Sequence, residues 1–120
     1  MAFLYQIQPN GTPVGYWEIG PKPLVVGRGD IADAFVDDDA LSWGHFLVVG
    51  EGDGFFLIDL NSSNGTWVKN ARVSAHRLAP TEFIFAGESI FCFSTTPVSS
   101  FVMPDTAFLT RGTEAARAGG

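Results

Sequence analysis

The sequence has few of the features that mark nucleic-acid-binding, membrane or secreted proteins. It carries seven Lys and Arg against 13 Asp and Glu, which gives a formal net charge of −6. Binding to a nucleic-acid backbone rests on clustered cations, so scattered cations in an acidic chain argue against such a partner. No apolar run approaches the ~20 residues that span a bilayer. The N-terminus lacks a basic segment followed by an apolar one, the pattern of a signal peptide. We therefore expect a cytoplasmic protein that does not act on nucleic acid or membranes.

Cysteine and histidine are scarce as well. The single Cys92 lies in an apolar run from Ile90 to Phe93, a setting typical of a buried core thiol in a reducing compartment. With two distant histidines it forms no metal-ligand spacing. Paired carboxylates and an activated nucleophile are also not evident. The sequence therefore predicts no metal, no cofactor and no enzymatic activity.

Helical periodicity is missing, and short apolar runs between turn signals take its place. The chain has 120 residues with 46% hydrophobic content, enough for one packed core, and 14 Gly and seven Pro indicate many turns. This pattern predicts an all-β fold, a two-sheet antiparallel β-sandwich of about 10–11 short strands. The predicted strands cover residues 3–8, 16–19, 24–27, 35–36, 46–49, 55–60, 66–68, 72–73, 83–85 and 89–93.

The pattern of strands decays after Pro97. We predict one sandwich domain over residues 1–96 and a C-terminal tail over 97–120, monomeric as an isolated domain. Apolar residues at 101–103 and 107–109 favour partial packing of the tail on the sandwich, whereas its small and polar end is typical of disorder or a linker. Three threonines of the tail carry a further hypothesis, that their phosphorylated forms occupy the binding site of a neighbouring copy: Thr106, Thr110 and Thr113.

A polar loop at residues 61–65 separates two apolar strands. Its residues Asn64 and Gly65 tolerate positive φ, so we expect a sharp turn there that leaves hydroxyl, amide and backbone N–H groups pointing outward. Such a loop can hold an anion or a peptide backbone. Two shorter motifs precede it, a Gly-Arg pair after a strand and a Ser-x-x-His turn from Ser42 to His45.

Gly-Arg, Ser-x-x-His and Ser-Ser-Asn-Gly-Thr, in this order with strands between them, resemble the signature of the forkhead-associated (FHA) domain family. The resemblance extends over about residues 3–95. It implies a β-sandwich whose motif loops gather at one end. It also implies a phosphothreonine-dependent protein–protein interaction module, because FHA domains read phosphorylated motifs through arginine.

The resemblance implies a role for each motif residue. Phosphothreonine carries about −1.5 to −2 charges and three acceptor oxygens, and the planar guanidinium of Arg28 would donate two hydrogen bonds to it. Ser42 would donate its hydroxyl and its backbone N–H, and Ser63 a second hydroxyl. Asn64 would bond the ligand backbone and fix its register. The residues expected to shape the loops are Gly27, His45, Gly65 and Thr66.

Trp43 departs from the family pattern, which often has Arg, Lys or Asn after the motif serine. Its indole offers a single N–H donor, and a lost hydrogen bond to a charged group is worth about 1.5–3 kcal/mol. Trp43 would instead pack on an apolar ligand residue, and the acidic run 37–39 would disfavour acidic ligands. We therefore expect a weak binder, with micromolar or poorer affinity, that prefers ligands with basic or apolar flanks. The substitution keeps an alternative open, a phospho-independent scaffold or oligomerisation domain on the same fold.

Overall fold

Eleven strands in two packed sheets make up the protein, as the computed structural model, which describes residues 1–103, shows. No helix occurs in these residues. The predicted all-β sandwich of about 10–11 strands is confirmed. The strands are β1 (Phe3–Ile7), β2 (Pro13–Glu18), β3 (Leu24–Gly27), β4 (Ala34–Phe35), β5 (Phe46–Glu51), β6 (Gly54–Asp59), β7 (Thr66–Val68), β8 (Ala71–Arg72), β9 (Ala75–Arg77), β10 (Glu82–Ala86) and β11 (Ser89–Ser94).

The two sheets have six and five strands. The order of the first is β2-β1-β11-β10-β7-β8, and that of the second is β4-β3-β5-β6-β9. Among the described strands, one pair is parallel: β4 lies beside β3 with Val26 opposite Ala34. The loop at residues 28–33 returns the chain to the start of β3, where the Asp33 carboxylate accepts from the Val25 N–H at 2.9 Å. The Gly-Arg motif joins the last residue of β3, Gly27, to the first residue of this loop, Arg28. The fold therefore places Arg28 at the rim of the second sheet.

The core fills the space between the sheets. Strand residues alternate between the two faces of a sheet, so Val26 and Val48 are fully buried while their neighbour Leu47 is half-buried. Phe46 of the second sheet meets Phe91 of the first edge-on, with ring centroids 5.4 Å apart. This contact is worth about 0.5–1.5 kcal/mol beyond the apolar area it buries.

A second apolar cluster covers the outer face of the six-stranded sheet. The segment after Pro97 packs on it: the Val98 N–H donates to the Tyr5 hydroxyl at 2.8 Å, and the Phe101 N–H donates to the Gly11 carbonyl at 3.0 Å. The strand residues of the cluster are Phe3, Tyr5, Ile7, Phe85, Ile90 and Cys92, and Val98, Phe101 and Met103 pack against them.

These contacts cross the predicted boundary at residues 96 and 97, and the division into 1–96 and 97–120 stays a prediction. The apolar stretch 107–109 and the three threonines of the tail hypothesis lie outside the described residues.

Strand β9 is the element that the sequence did not predict. Its residues Ala75, His76 and Arg77 lack the apolar alternation of a strand, and it forms by pairing with β6, where Arg77 lies opposite Phe56. His76 of this strand is half-buried, and its Nε2 lies 2.9 Å from the buried Glu82 carboxylate.

Candidate functional site

Three loops meet at one end of the sandwich. The Arg28 N–H donates to the Ser42 carbonyl at 3.2 Å, and the Leu60 N–H donates to the His45 carbonyl at 2.9 Å. These backbone bonds bring together the three sequence motifs that lie far apart along the chain. The loops comprise residues 28–33, 36–45 and 60–65.

Gly27 allows the first two loops to touch. A Cβ built on Gly27 would collide with the Trp43 carbonyl, so a residue with any side chain would push the Ser-x-x-His turn away from the end of β3. The Gly27 carbonyl accepts from the Val36 N–H at 2.9 Å, which ties the start of the second loop to the same strand end. Gly27 therefore fixes how closely Arg28 and Ser42 approach.

His45 is buried between the second and third loops and bonds to both. Its Nδ1 accepts from the Ser42 N–H at 3.0 Å, so its Nε2 carries the proton and donates to the Gly65 carbonyl at 2.9 Å. Burial lowers the pKa of His45, and it outweighs the Gly65 bond and the nearby carboxylates, which raise it. The ring is thus held neutral in one tautomer and links two loops without reaching outward.

The geometry of Ser42 corrects one expectation. Its backbone N–H was expected to reach a phosphate, but His45 already accepts that proton, so this donor is taken. The Ser42 hydroxyl oxygen accepts from the Ser63 N–H at 3.1 Å. Because a hydroxyl can accept and donate at once, its proton remains for a ligand. The same bond places the Ser42 and Ser63 side chains in neighbouring positions.

Asp59, at the end of β6, organises the third loop and was not singled out from the sequence. Its carboxylate accepts from the Ser62 N–H at 3.0 Å, the Ser62 hydroxyl at 2.6 Å and the Thr66 hydroxyl at 2.7 Å. The Ser62 oxygen in turn accepts from the Gly65 N–H at 3.0 Å. Burial raises the pKa of Asp59, but these hydrogen bonds together outweigh it and leave the pKa below its usual value. An Asp three residues before a Ser in a turn is the signal that could have found it.

The third loop has positive φ at one of the two residues predicted, Gly65, and at Asn61 in place of Asn64. Positive φ was expected at Asn64 and Gly65, whereas the structure has it at Asn61 (+59°) and Gly65 (+90°). Asn64 instead donates an amide proton to the Ala40 carbonyl at 3.0 Å, across to the second loop. The other proton of its side-chain amide and its Oδ1 make no hydrogen bond within residues 1–103, while its backbone carbonyl accepts from Trp67 Nε1 at 3.3 Å. Ser63 and Asn64 are both exposed.

Arg28 is an exposed cation fixed at one nitrogen. Its Nε donates to the Leu41 carbonyl at 2.7 Å, and its guanidinium carbon lies 5.8 Å from the centroid of the Trp43 ring. Both Nη groups are without a hydrogen bond or ion pair in the part of the chain that the structure describes. One end of the guanidinium is therefore anchored, and the other remains available to an anion.

Trp43 flanks this guanidinium and remains 56% exposed. Its ring lies against the backbone of Gly29, where a Cβ would collide with it. The indole is thus seated on the first loop, beside Arg28, with much of its surface open to solvent.

One residue of the acidic run at 37–39 makes hydrogen bonds to a neighbouring turn. Asp38 caps the turn between β10 and β11, accepting from the Glu88 N–H at 2.8 Å and the Ser89 hydroxyl at 2.7 Å. Asp37 and Asp39 are exposed. The run borders a cleft of about 550 Å³ whose lining residues are Asp37, Asp38, Asp39, Ala40, Glu88 and Ser89.

Residues 1–103 contain no group of three His, Cys, Asp or Glu side chains placed to hold a metal ion. Nor does any helix of this part of the chain have the length and apolarity to cross a bilayer.

The family model of the FHA domain matches residues 24–84, slightly more than half of the chain and the stretch that holds all three loops. Among curated proteins, the FHA domain-containing protein FhaA of Mycobacterium tuberculosis is 38% identical over 65 residues, which cover 54% of this chain. The matched stretch covers 12% of FhaA, so this chain spans a small part of that relative's length.

Two solved structures share the architecture. One is the FhaA FHA domain in complex with the intracellular domain of Rv3910, with 29% identity, a TM-score of 0.69, and coverage of 78% of this chain and 99% of that one. The other comes from work on phosphothreonine-dependent FHA domain interactions, with 29% identity, a TM-score of 0.71, and coverage of 81% and 98%.

Proposed function

The chain belongs to the FHA domain family, and from that premise we propose that it is a phosphothreonine-dependent protein-interaction module. FHA domains are binding modules, and the proposal assigns no catalytic step to this one. The observation that carries it is the state of Arg28, whose Nη groups make no bond within residues 1–103 while Nε is anchored on Leu41. Such a guanidinium can pair with a doubly charged phosphate through two charge-assisted bonds.

In this proposal the phosphate lies between Arg28 and the two serines. The Ser42 hydroxyl keeps a proton to donate, and Ser63 is exposed beside it. Asn64 would bond the ligand backbone with the amide groups that the Ala40 bond leaves over. Trp43 would pack its open face on the ligand. One cation surrounded by neutral hydrogen-bond donors can bind an anion, and the neutral donors add no further charge to the site.

The loops are rigid before any ligand arrives, and this affects affinity. His45 and Asp59 hold five backbone or hydroxyl groups of the second and third loops in place. A site that is already ordered loses little conformational entropy on binding. The roles proposed for Gly27, His45, Gly65 and Thr66 are therefore structural, and their loss would weaken binding indirectly.

The proposed partner is a threonine-phosphorylated protein in the cytoplasm, bound by a monomeric domain. A net charge of −6 disfavours nucleic acid as an alternative source of phosphate. Similarity to the FhaA domain, solved with an intracellular protein domain, supports a protein partner.

The experiment is a calorimetric titration with a phosphothreonine peptide library and with its unphosphorylated counterpart. Arg28→Ala is expected to weaken binding by about 10- to 100-fold, because a hydrogen bond to a charged group is worth about 1.5–3 kcal/mol. Arg77→Ala is the control, since it removes another exposed cation, in β9 and outside the three loops. Equal affinities for the two variants would contradict the proposal.

A second candidate function, a phospho-independent scaffold, is favoured by the exposed Trp43 at a position where the family often has a polar residue. Partner binding that survives both phosphatase treatment and Arg28→Ala would select it over the phosphothreonine reader.

A further inference from the structure

The outer face of the five-stranded sheet is apolar at its centre. In a sheet that packs on one side only, the residues that alternate with core residues point outward and are normally polar. Strands β3, β5 and β6 depart from this rule. On both sides of their fully buried residues Val26, Val48 and Leu57, the outward positions hold apolar side chains: Val25, Leu47, Val49, Phe56 and Ile58. We call these five residues the β3-β5-β6 patch.

The five side chains form two adjoining rows. Val25 lies opposite Leu47, and Leu47 lies opposite Ile58, so one row crosses three strands. Val49 lies opposite Phe56 in the next row of the same face. Adjacent strands are about 4.8 Å apart, so the patch is about 10 Å wide from β3 to β6. It is therefore one continuous surface rather than a set of scattered residues.

The chain covers the corresponding face of the other sheet but not this one. On the six-stranded sheet, Val98, Phe101 and Met103 pack over the outer cluster. Within residues 1–103, none of the five patch residues belongs to the core or to that outer cluster. Ile58 is exposed and the other four are half-buried. Because an apolar sheet face is stabilised by a layer that covers it, the patch has the character of a contact surface.

The width of the patch matches one α-helix. A helix with its side chains is about 10–12 Å across, which is the width of the three strands. A second copy of the chain is a poorer occupant, since a stable interface buries about 800 Å² on each partner. Five side chains, four of them half-buried, provide much less than that area. Two copies would also bring together net charges of −6 each.

Acidic side chains border the patch. Glu51 ends β5 on the same face, and Asp53 lies in the turn beyond it, with both residues exposed. At the opposite margin, the Asp33 carboxylate accepts a hydrogen bond from the backbone of β3. The guanidinium of Arg77 lies over the Phe56 ring and is paired with Asp53 at 3.4 Å. In a chain of net charge −6, this border favours a partner with basic residues beside its apolar ones.

We propose that the β3-β5-β6 patch is a docking surface for a single amphipathic α-helix of a partner protein. The apolar stripe of the helix lies against the five patch residues, and Lys or Arg residues along its margins meet the acidic border. The patch consists of strand residues and includes none of the three loops of the candidate site. The docking surface is therefore independent of the proposed function.

A first experiment tests whether the patch is free in the full chain. Methyl NMR with a soluble gadolinium agent measures how closely solvent approaches each methyl group. The methyl groups of Leu47 and Ile58 are expected to broaden more than those of Leu57 and Ile84, which are fully buried. Protection of Leu47 and Ile58 at every protein concentration would assign the patch to the chain itself. Protection that increases with concentration would assign it to a second copy, and either result would overturn the proposal.

A second experiment uses three synthetic peptides of about 18 residues, or five helical turns, as probes in calorimetric titrations. The first has leucine at helical spacing among lysines, and the second has glutamate in place of every lysine. The third has the composition of the first, with leucine and lysine alternating as in a strand. The first peptide is expected to bind at least about tenfold more tightly than either of the others. Equal affinity for the first two would contradict the basic margins, and tighter binding of the third would contradict the helix.

Two double variants locate the contact. Leu47→Thr with Ile58→Thr removes an opposed pair from the patch while keeping residues that strands favour, and is expected to weaken binding of the first peptide at least about tenfold. Val14→Thr with Val102→Thr removes exposed aliphatic side chains outside the five-stranded sheet and is expected to keep the full affinity. Equal affinities for the two double variants would show that the peptide binds elsewhere and that the proposal is wrong. The methyl measurement and the three peptides decide the proposal on the wild-type chain if a variant fails to fold.

Discussion

Asp59 illustrates how a single residue sets the shape of a candidate-site loop through its hydrogen bonds. It satisfies one N–H and two hydroxyl groups that would otherwise be buried without partners, and its own charge is stabilised in return. His45 does the same between the second and third loops with a neutral ring. At the scale of single residues, the exposed side chains of the candidate site lie on loops that the hydrogen bonds of His45 and Asp59 hold in place.

Replacing Asp59 by Asn is therefore expected to destabilise the fold by about 2–3 kcal/mol, because the amide cannot accept all three charge-assisted bonds. Asp53→Asn, at a side chain that is 96% exposed, is the matched control and should leave stability nearly unchanged. Denaturant unfolding of both variants checks this. A similar midpoint for the two would contradict the role given to Asp59.

His45 makes stability depend on pH in a direction that follows from its lowered pKa. Because the unfolded chain binds a proton near pH 6.5 and the folded chain only at lower pH, the contribution of His45 is complete above pH 6.5 and is lost as pH falls below it. Nitrogen-15 NMR of the histidine rings between pH 7.5 and 5 measures this. The expected result is an Nε2–H tautomer for His45 and a pKa below 6.5; an Nδ1–H tautomer or a pKa above 6.5 would contradict the account.

At the scale of elements, the outer face of the six-stranded sheet is completed by the segment that follows β11. Phe101 packs against Tyr5 and Phe83, with ring centroids 5.2 and 6.4 Å apart. The same cluster buries Cys92, and burial raises the pKa of that thiol to about 12. The strands and the segment that covers them thus form one packed unit within residues 1–103.

Truncating Phe101 to Ala is expected to cost about 2–4 kcal/mol of unfolding free energy, less than a fully buried Phe, and to speed labelling of Cys92 by a thiol reagent. Val102→Ala is the adjacent control, at a residue that is 94% exposed. Thermal unfolding together with labelling rates measures both effects. If Val102→Ala lowers the unfolding free energy and speeds Cys92 labelling as much as Phe101→Ala does, the segment does not cover the sheet as described.

Much of the fold was predictable because alternation and turn residues are local signals. Strands β3 and β5 follow directly from apolar runs that end in polar turns. Strand β9 was not predictable, since its residues acquire strand geometry by pairing with β6 rather than from their own pattern. The capping role of Asp38 was hidden for a similar reason, because its partners Glu88 and Ser89 lie about 50 residues further along the chain.

The sequence predicts which residues belong to the candidate site. It does not predict which of their hydrogen-bonding atoms are free to contact a ligand. Sequence order brings Arg28, Ser42 and Ser63 to attention, but only the structure shows that the Ser42 N–H is taken by His45. It also moves the positive φ from Asn64 to Asn61, which no residue preference distinguishes, since both are Asn. Hydrogen bonds between loops join residues that are far apart in the sequence, so a local sequence pattern does not predict them.

At the scale of the whole molecule, the sandwich is a rigid support that gathers three distant motifs at one end. The described residues extend 37 × 29 × 23 Å along the principal axes, and the loops occupy one end of this body. The chain is acidic overall, so in the proposed function Arg28 would hold an anionic ligand through short-range bonds rather than through a broad positive field. Recognition by a few placed donors fits such a surface.

The most direct test of this account is an amide NMR titration with a phosphothreonine peptide and with the same peptide after phosphatase treatment. The account predicts that only the phosphorylated peptide shifts resonances, and that the shifts concentrate in residues 28–33, 36–45 and 60–65. Shifts of equal size with both peptides, or shifts centred on the β1–β2 turn at the Asn10-Gly11 pair, would contradict it.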